Sequence, residues 1–237
     1  MKTIEGMSIL ITGGGSGIGA DCARRFCAQD ARVTISGRRL EKLEAVAAEL
    51  GDNCHIVQGD VTLQNDREAM LAEALRHGNG RLDALVNNAA NMYRQPVDGY
   101  EEDFLKDAFN TNVVSAMMLS SMAVAPLELT EGVIVFIGST HTRRAFPGAS
   151  PYATTKAALE GLTKVMAAEL GPRKIRTGCI LPGAVSTELN VRAGLFTEEE
   201  AKDRYEAVAG LQRPSRPGRR GRQHPGPSEH SQHPLHA

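Results

Sequence analysis

The sequence predicts an α/β fold in which a single, doubly wound parallel sheet carries helices on both faces. Short, near-continuous apolar runs alternate with longer amphipathic stretches along most of the chain. Strands covered on both faces have such runs, and strand–helix alternation is typical of parallel sheets with right-handed crossovers. The length of 237 residues, with 41% hydrophobic and 23% charged residues, fits one large soluble domain.

Six apolar runs are the predicted strands, at 7–11, 32–36, 55–58, 84–86, 133–137 and 176–181. Apolar residues with helical period lie between them. The resulting helix predictions are 18–28, 40–50, a segment around 70–74, 101–124 and 150–170. A further helix is predicted from Thr197, because Thr197 and Glu200 have the spacing of a capping box, and it is expected to run to about Ala209.

The composition argues against several classes of function. A formal net charge of −1 gives no reason to expect nucleic acid or a membrane as partner. The N-terminus has no long apolar run, so neither a signal peptide nor a membrane span is expected. The four cysteines lack metal-ligand spacing and are predicted to be reduced thiols of a cytoplasmic protein without a metal site: Cys22, Cys27, Cys54 and Cys179.

The composition changes near Leu211, which divides the chain into a folded domain at 1–210 and a tail at 211–237. The tail holds five arginines, four histidines and five prolines, with few apolar residues. Such a segment cannot bury enough apolar surface to offset its ordering entropy, so disorder is predicted. The histidines as a metal site and the arginines as an anion-binding arm are the less favoured alternatives.

A glycine-rich loop follows the first predicted strand and leads into a helix. Glycines let the backbone turn tightly and approach a pyrophosphate, and the helix N-terminus offers free N–H groups to the anion. At this first strand-to-helix junction the loop predicts a Rossmann-like dinucleotide site rather than a plain flexible loop. Its candidate cofactor-binding residues are Gly13, Ser16, Gly17, Ile18 and Gly19.

The end of the second strand bears on the choice between NADP and NAD. A bare ribose usually meets an acidic residue there, but this chain has Arg38 and Arg39 instead. Guanidinium groups suit a 2′-phosphate, which favours NADP, with NAD as the alternative. The two arginines could instead be a solvated helix start paired with Glu41 and Glu44.

The next two strand ends complete the predicted cofactor site. Asp60 and Val61 end the third strand and are expected at the adenine edge. Asn88 and Ala89 follow the fourth strand, where small residues let a cofactor lie close. All these ends share the carboxyl edge of the sheet, where ligands bind in this architecture.

Tyr152 and Lys156 are four residues apart in a predicted helix, which places both side chains on one face. A free tyrosine has a pKa near ~10, too high for proton exchange at neutral pH, and a neighbouring cation favours the phenolate. The pair therefore indicates a general acid/base, although the spacing alone occurs by chance on many solvated helices.

With these residues assembled, the chain resembles the short-chain dehydrogenase/reductase family from about Met7 to about Leu189. The family's glycine-rich loop matches Thr12, Gly13, Gly17 and Gly19, and its strand-end motif matches Asn87, Asn88 and Ala89, with Ala90 in place of a glycine. The resemblance implies four catalytic residues, Asn112, Ser139, Tyr152 and Lys156, with Ser139 thirteen residues before Tyr152. It also implies cofactor contacts at Pro182, Gly183 and Thr187.

The resemblance implies an NAD(P)-dependent oxidoreductase acting on a secondary alcohol or ketone of modest size, and Arg38 and Arg39 favour NADP as its coenzyme. Tyr152 would exchange the proton, Ser139 would bond the substrate oxygen, Lys156 would lower the Tyr152 pKa and hold the nicotinamide ribose, and Asn112 would hold a relay water. The candidate substrate-pocket residues are Asn91, Met92, His141, Arg143, Phe146, Leu189, Val191, Leu195 and Phe196.

The C-terminal part departs from the family, which usually continues with another helix and a last strand. We expect the last sheet strand to be missing, through a frameshift, alternative ending or truncation, with an uncovered sheet edge and weakened homo-oligomer contacts. This keeps open a cofactor-binding protein without turnover, with a regulatory or interaction role. An isomerase or epimerase is a third, less favoured reading.

Overall fold

The six predicted strands all form, each within one or two residues of its predicted bounds. The computed structural model describes residues 3–185, 187–193, 196–200, 202–203 and 206. Its strands are β1 (Ser8–Thr12), β2 (Arg32–Gly37), β3 (Cys54–Gln58), β4 (Ala84–Asn87), β5 (Val133–Ile137) and β6 (Arg176–Ile180). They pair in parallel in the order β3-β2-β1-β4-β5-β6, so the strand order reverses direction between β1 and β4.

The helices cover both faces of the sheet. They are α1 (Gly17–Cys27), α2 (Leu40–Leu50), α3 (Gln64–His77), α4 (Glu102–Phe109), α5 (Ser115–Thr130), α6 (Ser150–Leu170) and α7 (Leu189–Arg192). Leu10 of β1 joins a core with α3, α5 and α6, whereas its neighbours Ile9 and Ile11 join a second core with α1 and α2. Side chains alternate across a strand, so the apolar run of β1 serves both cores.

The segment predicted as one helix at 101–124 is divided. A π-helical turn, Asn110–Val114, separates α4 from α5, and α5 continues past Pro126 to Thr130. The span Glu102–Thr130 has the length and hydropathy of a membrane helix. Leu119, Ala123 and Leu127 of this span lie in the core with Leu10 of β1, so one side of the apolar helix packs against the sheet.

The sheet ends at β6 within the part of the chain that the structure describes. This strand pairs with β5, and the side chain of Ile180 at its end is 56% exposed. No further strand covers the outer edge among the described residues. Beyond it, Thr197 and Glu200 exchange the two hydrogen bonds of the predicted capping box, at 2.8 and 3.2 Å. The predicted helix end at Ala209 and the tail at 211–237 lie outside the described residues.

Candidate active site

The glycine-rich loop joins β1 to α1 at the carboxyl edge of the sheet. Gly13 and Gly17 have φ angles of +67° and +53°, in the left-handed region that favours glycine. A Cβ at Gly19 would lie 2.4 Å from the carbonyl oxygen of Gly13, so α1 can approach the loop only without a side chain there. The loop is thereby drawn tightly against the helix N-terminus, which is the arrangement that receives a phosphate.

The loop is tied to the end of β4 by side-chain hydrogen bonds. Nδ2 of Asn88 donates to the carbonyl oxygens of Thr12 and Gly13, at 2.9 and 3.1 Å. Oγ1 of Thr12 in turn accepts from the backbone N–H groups of Asn88 and Ala89, at 3.1 and 3.0 Å. The point where the strand order reverses is therefore fixed from both sides, and this is where open α/β sheets bind ligands.

The arginines after β2 pair with other residues than Glu41 and Glu44. Arg38 lies 3.8 Å from Asp60 at the end of β3. Arg39 donates to Oγ of Ser16 at 3.2 Å and lies 2.8 Å from a carboxylate oxygen of Glu188. Both arginines line the cavity. Their side chains are 56% and 37% exposed at the start of α2, so a solvated helix start describes their position, although their ion-pair partners are Asp60 and Glu188.

Ser139 and Tyr152 meet at the end of β5. Burial raises the pKa of the Tyr152 phenol, and a hydrogen bond with Ser139 opposes that rise. His141 encloses the pair: its backbone N–H donates to Oγ of Ser139 at 3.2 Å, its Nδ1 lies 3.1 Å from the same oxygen, and its ring meets the Tyr152 ring edge-on. The phenol therefore remains protonated at neutral pH.

Lys156 is 3% exposed and lies one helical turn after Tyr152. Its Nζ donates to the carbonyl oxygen of Ile137 at 2.7 Å and lies 5.6 Å from the centre of the Tyr152 ring. Burial lowers the pKa of Lys156 to about 8. The expected lowering of the Tyr152 pKa by Lys156 is thus not found in the chain alone, because burial dominates and the ammonium is bonded to a carbonyl instead of the phenol oxygen.

Asn112 lies in the π-helical turn, is 1% exposed, and does not line the cavity. Its Oδ1 accepts from the backbone N–H of Asn91 at 2.9 Å, and its Nδ2 donates to the Asn91 carbonyl at 3.0 Å and to Oγ1 of Thr155 at 3.1 Å. Thr155 lies beside Lys156 in α6 and bonds the carbonyl of Tyr152 at 2.7 Å. The amide therefore links the chain after β4 to the helix that carries the tyrosine and the lysine.

These residues surround one cavity of about 650 Å³, a size typical of sites for small molecules and cofactors. Most of the predicted site residues line it: Gly13, Ser16, Gly17, Ile18, Arg38, Arg39, Asp60, Val61, Asn88, Ala89, Ser139, Tyr152, Lys156, Pro182, Gly183 and Thr187. Gly19 and Asn112 stand behind the wall. The cavity runs from the cations after β2, past the glycine-rich loop, to the tyrosine, so its residues fit an elongated anionic dinucleotide.

Six of the nine residues predicted for the substrate pocket lie on the cavity wall. Asn91, Met92, His141, Phe146, Leu189 and Phe196 line the cavity. Arg143 does not line it, since its guanidinium pairs with Glu160 of α6. Val191 is also absent from the lining, and Leu195 lies outside the described residues.

Sequence reasoning missed seven charged or polar lining residues: Lys42, Arg94, Thr111, Thr140, Arg144, Glu188 and Asn190. Lys42 could have been predicted, because it lies one helical turn after Arg39 and therefore on the same side of α2. Glu188 could not have been predicted, because the residues that it contacts are far away in the sequence. Among the residues that the structure describes, no three His, Cys, Asp or Glu side chains are grouped closely enough to hold a metal ion.

Comparison with known proteins agrees with this geometry. Residues 7–196 match the family model described as short chain dehydrogenase. The chain is 36% identical to the "Probable galactose dehydrogenase GalD" of Rhizobium meliloti over 200 residues, covering 82% of this chain and 77% of that protein. It is 32% identical to "Dehydrogenase/reductase SDR family member 4" of Sus scrofa, over 80% of this chain and 69% of that one.

Solved structures give the same result. A 3-ketoacyl-(acyl-carrier-protein) reductase from Brucella melitensis, complexed with NADH, superimposes with a TM-score of 0.76 at 30% identity, covering 89% of this chain and 92% of that one. A short-chain dehydrogenase/reductase of Caenorhabditis elegans, solved with cofactor, has a TM-score of 0.80 at 26% identity, covering 88% and 80%. By its sequence match, its sheet order and its residues around the cavity, the chain belongs to the short-chain dehydrogenase/reductase family of NAD(P)-dependent oxidoreductases.

Proposed function

We propose that this protein transfers hydride between NADP(H) and a secondary alcohol or ketone, with Tyr152 as the general acid/base. The observation that carries the proposal is the meeting of Ser139, Tyr152 and Lys156 on the wall of the cavity that also contains the glycine-rich loop. A bound nicotinamide coenzyme supplies or accepts the hydride. The chain's own residues orient the substrate oxygen and exchange its proton.

Tyr152 is suited to donate a proton in the direction of ketone reduction. As hydride reaches the carbonyl carbon, negative charge develops on the oxygen, and the phenol transfers its proton to that oxygen. The raised pKa of Tyr152 means that it holds this proton at neutral pH. Ser139 donates a hydrogen bond to the same oxygen, where the charge develops.

Lys156 and Asn112 support this step. An ammonium has three donors, and one of them is used on the carbonyl of Ile137, so two are available to a ribose or a water in the cavity. Because its pKa is about 8, the Lys156 ammonium can also supply the proton that restores the Tyr152 phenol after the phenol has given up its own. Asn112 positions α6, and the second lone pair of its Oδ1 can hold the water that links Lys156 to solvent.

Preference for NADP is supported by the charges after β2. Arg38, Arg39 and Lys42 line the cavity, and Ser16 adds a hydroxyl bonded to Arg39. A guanidinium group can form two parallel hydrogen bonds to the 2′-phosphate of NADP(H). The uncharged 2′-hydroxyl of NAD(H) offers no such charge-assisted pair. NAD(H) is the alternative coenzyme, and the Brucella relative was solved with NADH.

The wider setting of the activity is also part of the proposal. The domain at 1–210 carries it, and the cysteines that the structure leaves as free thiols support a cytoplasmic location. The substrate is a small molecule, with neither nucleic acid nor membrane as a partner. Exposed Met117, Met118 and Leu129 on α5 support family-like homo-oligomer contacts there, even if the region after β6 does not provide them.

A coenzyme oxidation screen tests the proposal. NADPH and NADH absorbance is followed against a panel of ketones, with the parent protein, Tyr152→Phe and the matched control Tyr100→Phe, whose phenol bonds Ser150 outside the cavity. We expect NADPH oxidation by the parent and the control, and a loss of about 10²–10⁴-fold in kcat for Tyr152→Phe.

Two results would count against it. A Tyr152→Phe enzyme as fast as the parent would remove the proposed proton donor. Coenzyme binding without oxidation across the whole panel would favour the alternative of a dinucleotide-binding protein without turnover.

A further inference from the structure

The loop after β6 places a carboxylate between two cations on the far side of the cavity. Oε2 of Glu188 lies 2.8 Å from a guanidinium nitrogen of Arg39, and Oε1 accepts from Nζ of Lys42 at 3.2 Å. Arg39, followed by Lys42, holds the pKa of Glu188 below its usual value. The carboxylate is therefore charged at neutral pH, and 146 residues separate it from Lys42 along the chain.

The position distinguishes this pair from an ordinary surface ion pair. Glu188, Arg39 and Lys42 all line the cavity, and Arg39 also bonds Ser16 of the glycine-rich loop. The preceding residue, Thr187, packs closely enough that a Cβ at Gly17 would lie 2.9 Å from its Cγ2. The carboxylate is thus held over the loop, on the cations that a 2′-phosphate would need.

We propose that Glu188 is a determinant of coenzyme choice, because its carboxylate competes with the 2′-phosphate of NADP(H) for Arg39 and Lys42. The inference rests on the proposed preference for NADP and deepens it. A phosphate monoester carries about −1.5 to −2 charges and three acceptor oxygens, so it can displace a singly charged carboxylate, but only by breaking the Glu188 pair. NAD(H) has an uncharged hydroxyl at this position, and the pair can remain intact when it binds.

Removing the charge of Glu188 therefore acts on the two coenzymes differently. Glu188→Gln keeps the size of the side chain and removes the competing anion. We expect NADPH to bind more tightly, while NADH, which has nothing to displace, is unchanged or weakened. The ratio Kd(NADPH)/Kd(NADH) is expected to fall three-fold or more.

The experiment measures both dissociation constants without substrate, from the fluorescence of the reduced nicotinamide, at one fixed salt concentration. The matched control is Glu41→Gln, an exposed glutamate in the first turn of α2 that does not line the cavity. It removes the same charge near the same arginines and is expected to leave the ratio within two-fold. Circular dichroism melting of each variant checks that the fold is retained.

A fall of less than three-fold with Glu188→Gln, or an equal fall with Glu41→Gln, would overturn the inference. Arg39→Ala separates this failure from that of the proposed function. If Arg39→Ala weakens NADPH selectively while Glu188→Gln changes nothing, the NADP preference stands and the role of Glu188 falls. If the parent protein binds NADPH no more tightly than NADH, the NADP preference itself is wrong.

Discussion

At the scale of one residue, Lys156 is a buried cation whose burial reduces the stability of the fold. It is buried, and its pKa falls from 10.5 to about 8 because burial disfavours the ammonium. A base whose pKa is lower in the folded state than in the unfolded state binds fewer protons when folded. Below pH 8 burial of the charged ammonium lowers the free energy of unfolding by its full amount. This destabilisation decreases as the pH rises from 8 to 10.5.

Lys156→Met is therefore expected to change stability in a pH-dependent way. The shift corresponds to about 3 kcal/mol at pH 7 and about half of that at pH 9.5. Loss of the hydrogen bond to Ile137 adds an opposing contribution that does not depend on pH. Urea unfolding at pH 7 and pH 9.5 measures the free energy of unfolding of both proteins. The increase of the variant over the parent should be smaller at pH 9.5 than at pH 7. A difference that does not change with pH would mean that Lys156 is not charged and buried in the folded chain.

Sequence reasoning at this scale identified the residues better than their electrostatics. Tyr152 and Lys156 are neighbours because helical spacing alone makes them so. The direction of the Tyr152 pKa depends on the burial of its side chain, against which the His141 ring lies edge-on, and this contact is not encoded in the spacing. The position of Arg143 was likewise not predictable from local sequence, because its guanidinium pairs with Glu160 of α6.

At the scale of elements, the approach of α1 to the glycine-rich loop depends on a missing side chain. A Cβ at Gly19 would meet the Gly13 carbonyl oxygen at 2.4 Å, and backbone cannot swing aside as the end of a flexible side chain can. Gly161 in α6 is the opposite case, because a Cβ there would meet nothing within 4 Å.

The two glycines therefore form a matched pair for mutation. Gly19→Ala is expected to lower the free energy of unfolding and to weaken coenzyme binding, because α1 and the loop must separate. Gly161→Ala is expected to stabilise by about 0.4–1 kcal/mol, since alanine is the better helix former and has less unfolded-state entropy. Denaturant unfolding and coenzyme titration measure both effects. Equal effects at the two positions would contradict the packing argument.

The π-helical turn between α4 and α5 is an element that sequence patterning did not resolve. The stretch 101–124 contains neither glycine nor proline, so the sequence predicts a single helix there. In the folded chain the turn carries Asn112, whose side chain bonds both backbone groups of Asn91 and the side chain of Thr155. These contacts are tertiary, and the local sequence does not predict them. Such bulges are frequent at functional sites, which agrees with its place behind the cavity wall.

For the whole molecule, the cavity collects residues from Gly13 to Phe196, so bound coenzyme should stabilise the entire fold. A ligand that binds only the folded state at 100 times its Kd stabilises by about 2.7 kcal/mol. For a chain of this size that corresponds to a rise in Tm of roughly 5–10 °C. We expect NADPH to produce this shift at lower concentration than NADH in a thermal melt. Equal shifts at equal concentrations would argue against a preference for NADP.

The sequence by itself determined the elements whose cause is local. The apolar runs defined the strands, their alternation with helices indicated a parallel sheet, the glycines defined the loop, and the four-residue spacing joined Tyr152 to Lys156. Tertiary structure alone decided the raised pKa of Tyr152, the place of Asn112 behind the wall and the pairing of Glu188 with Arg39 and Lys42. These properties come from burial and from contacts between residues far apart in the chain, and no local pattern carries that information.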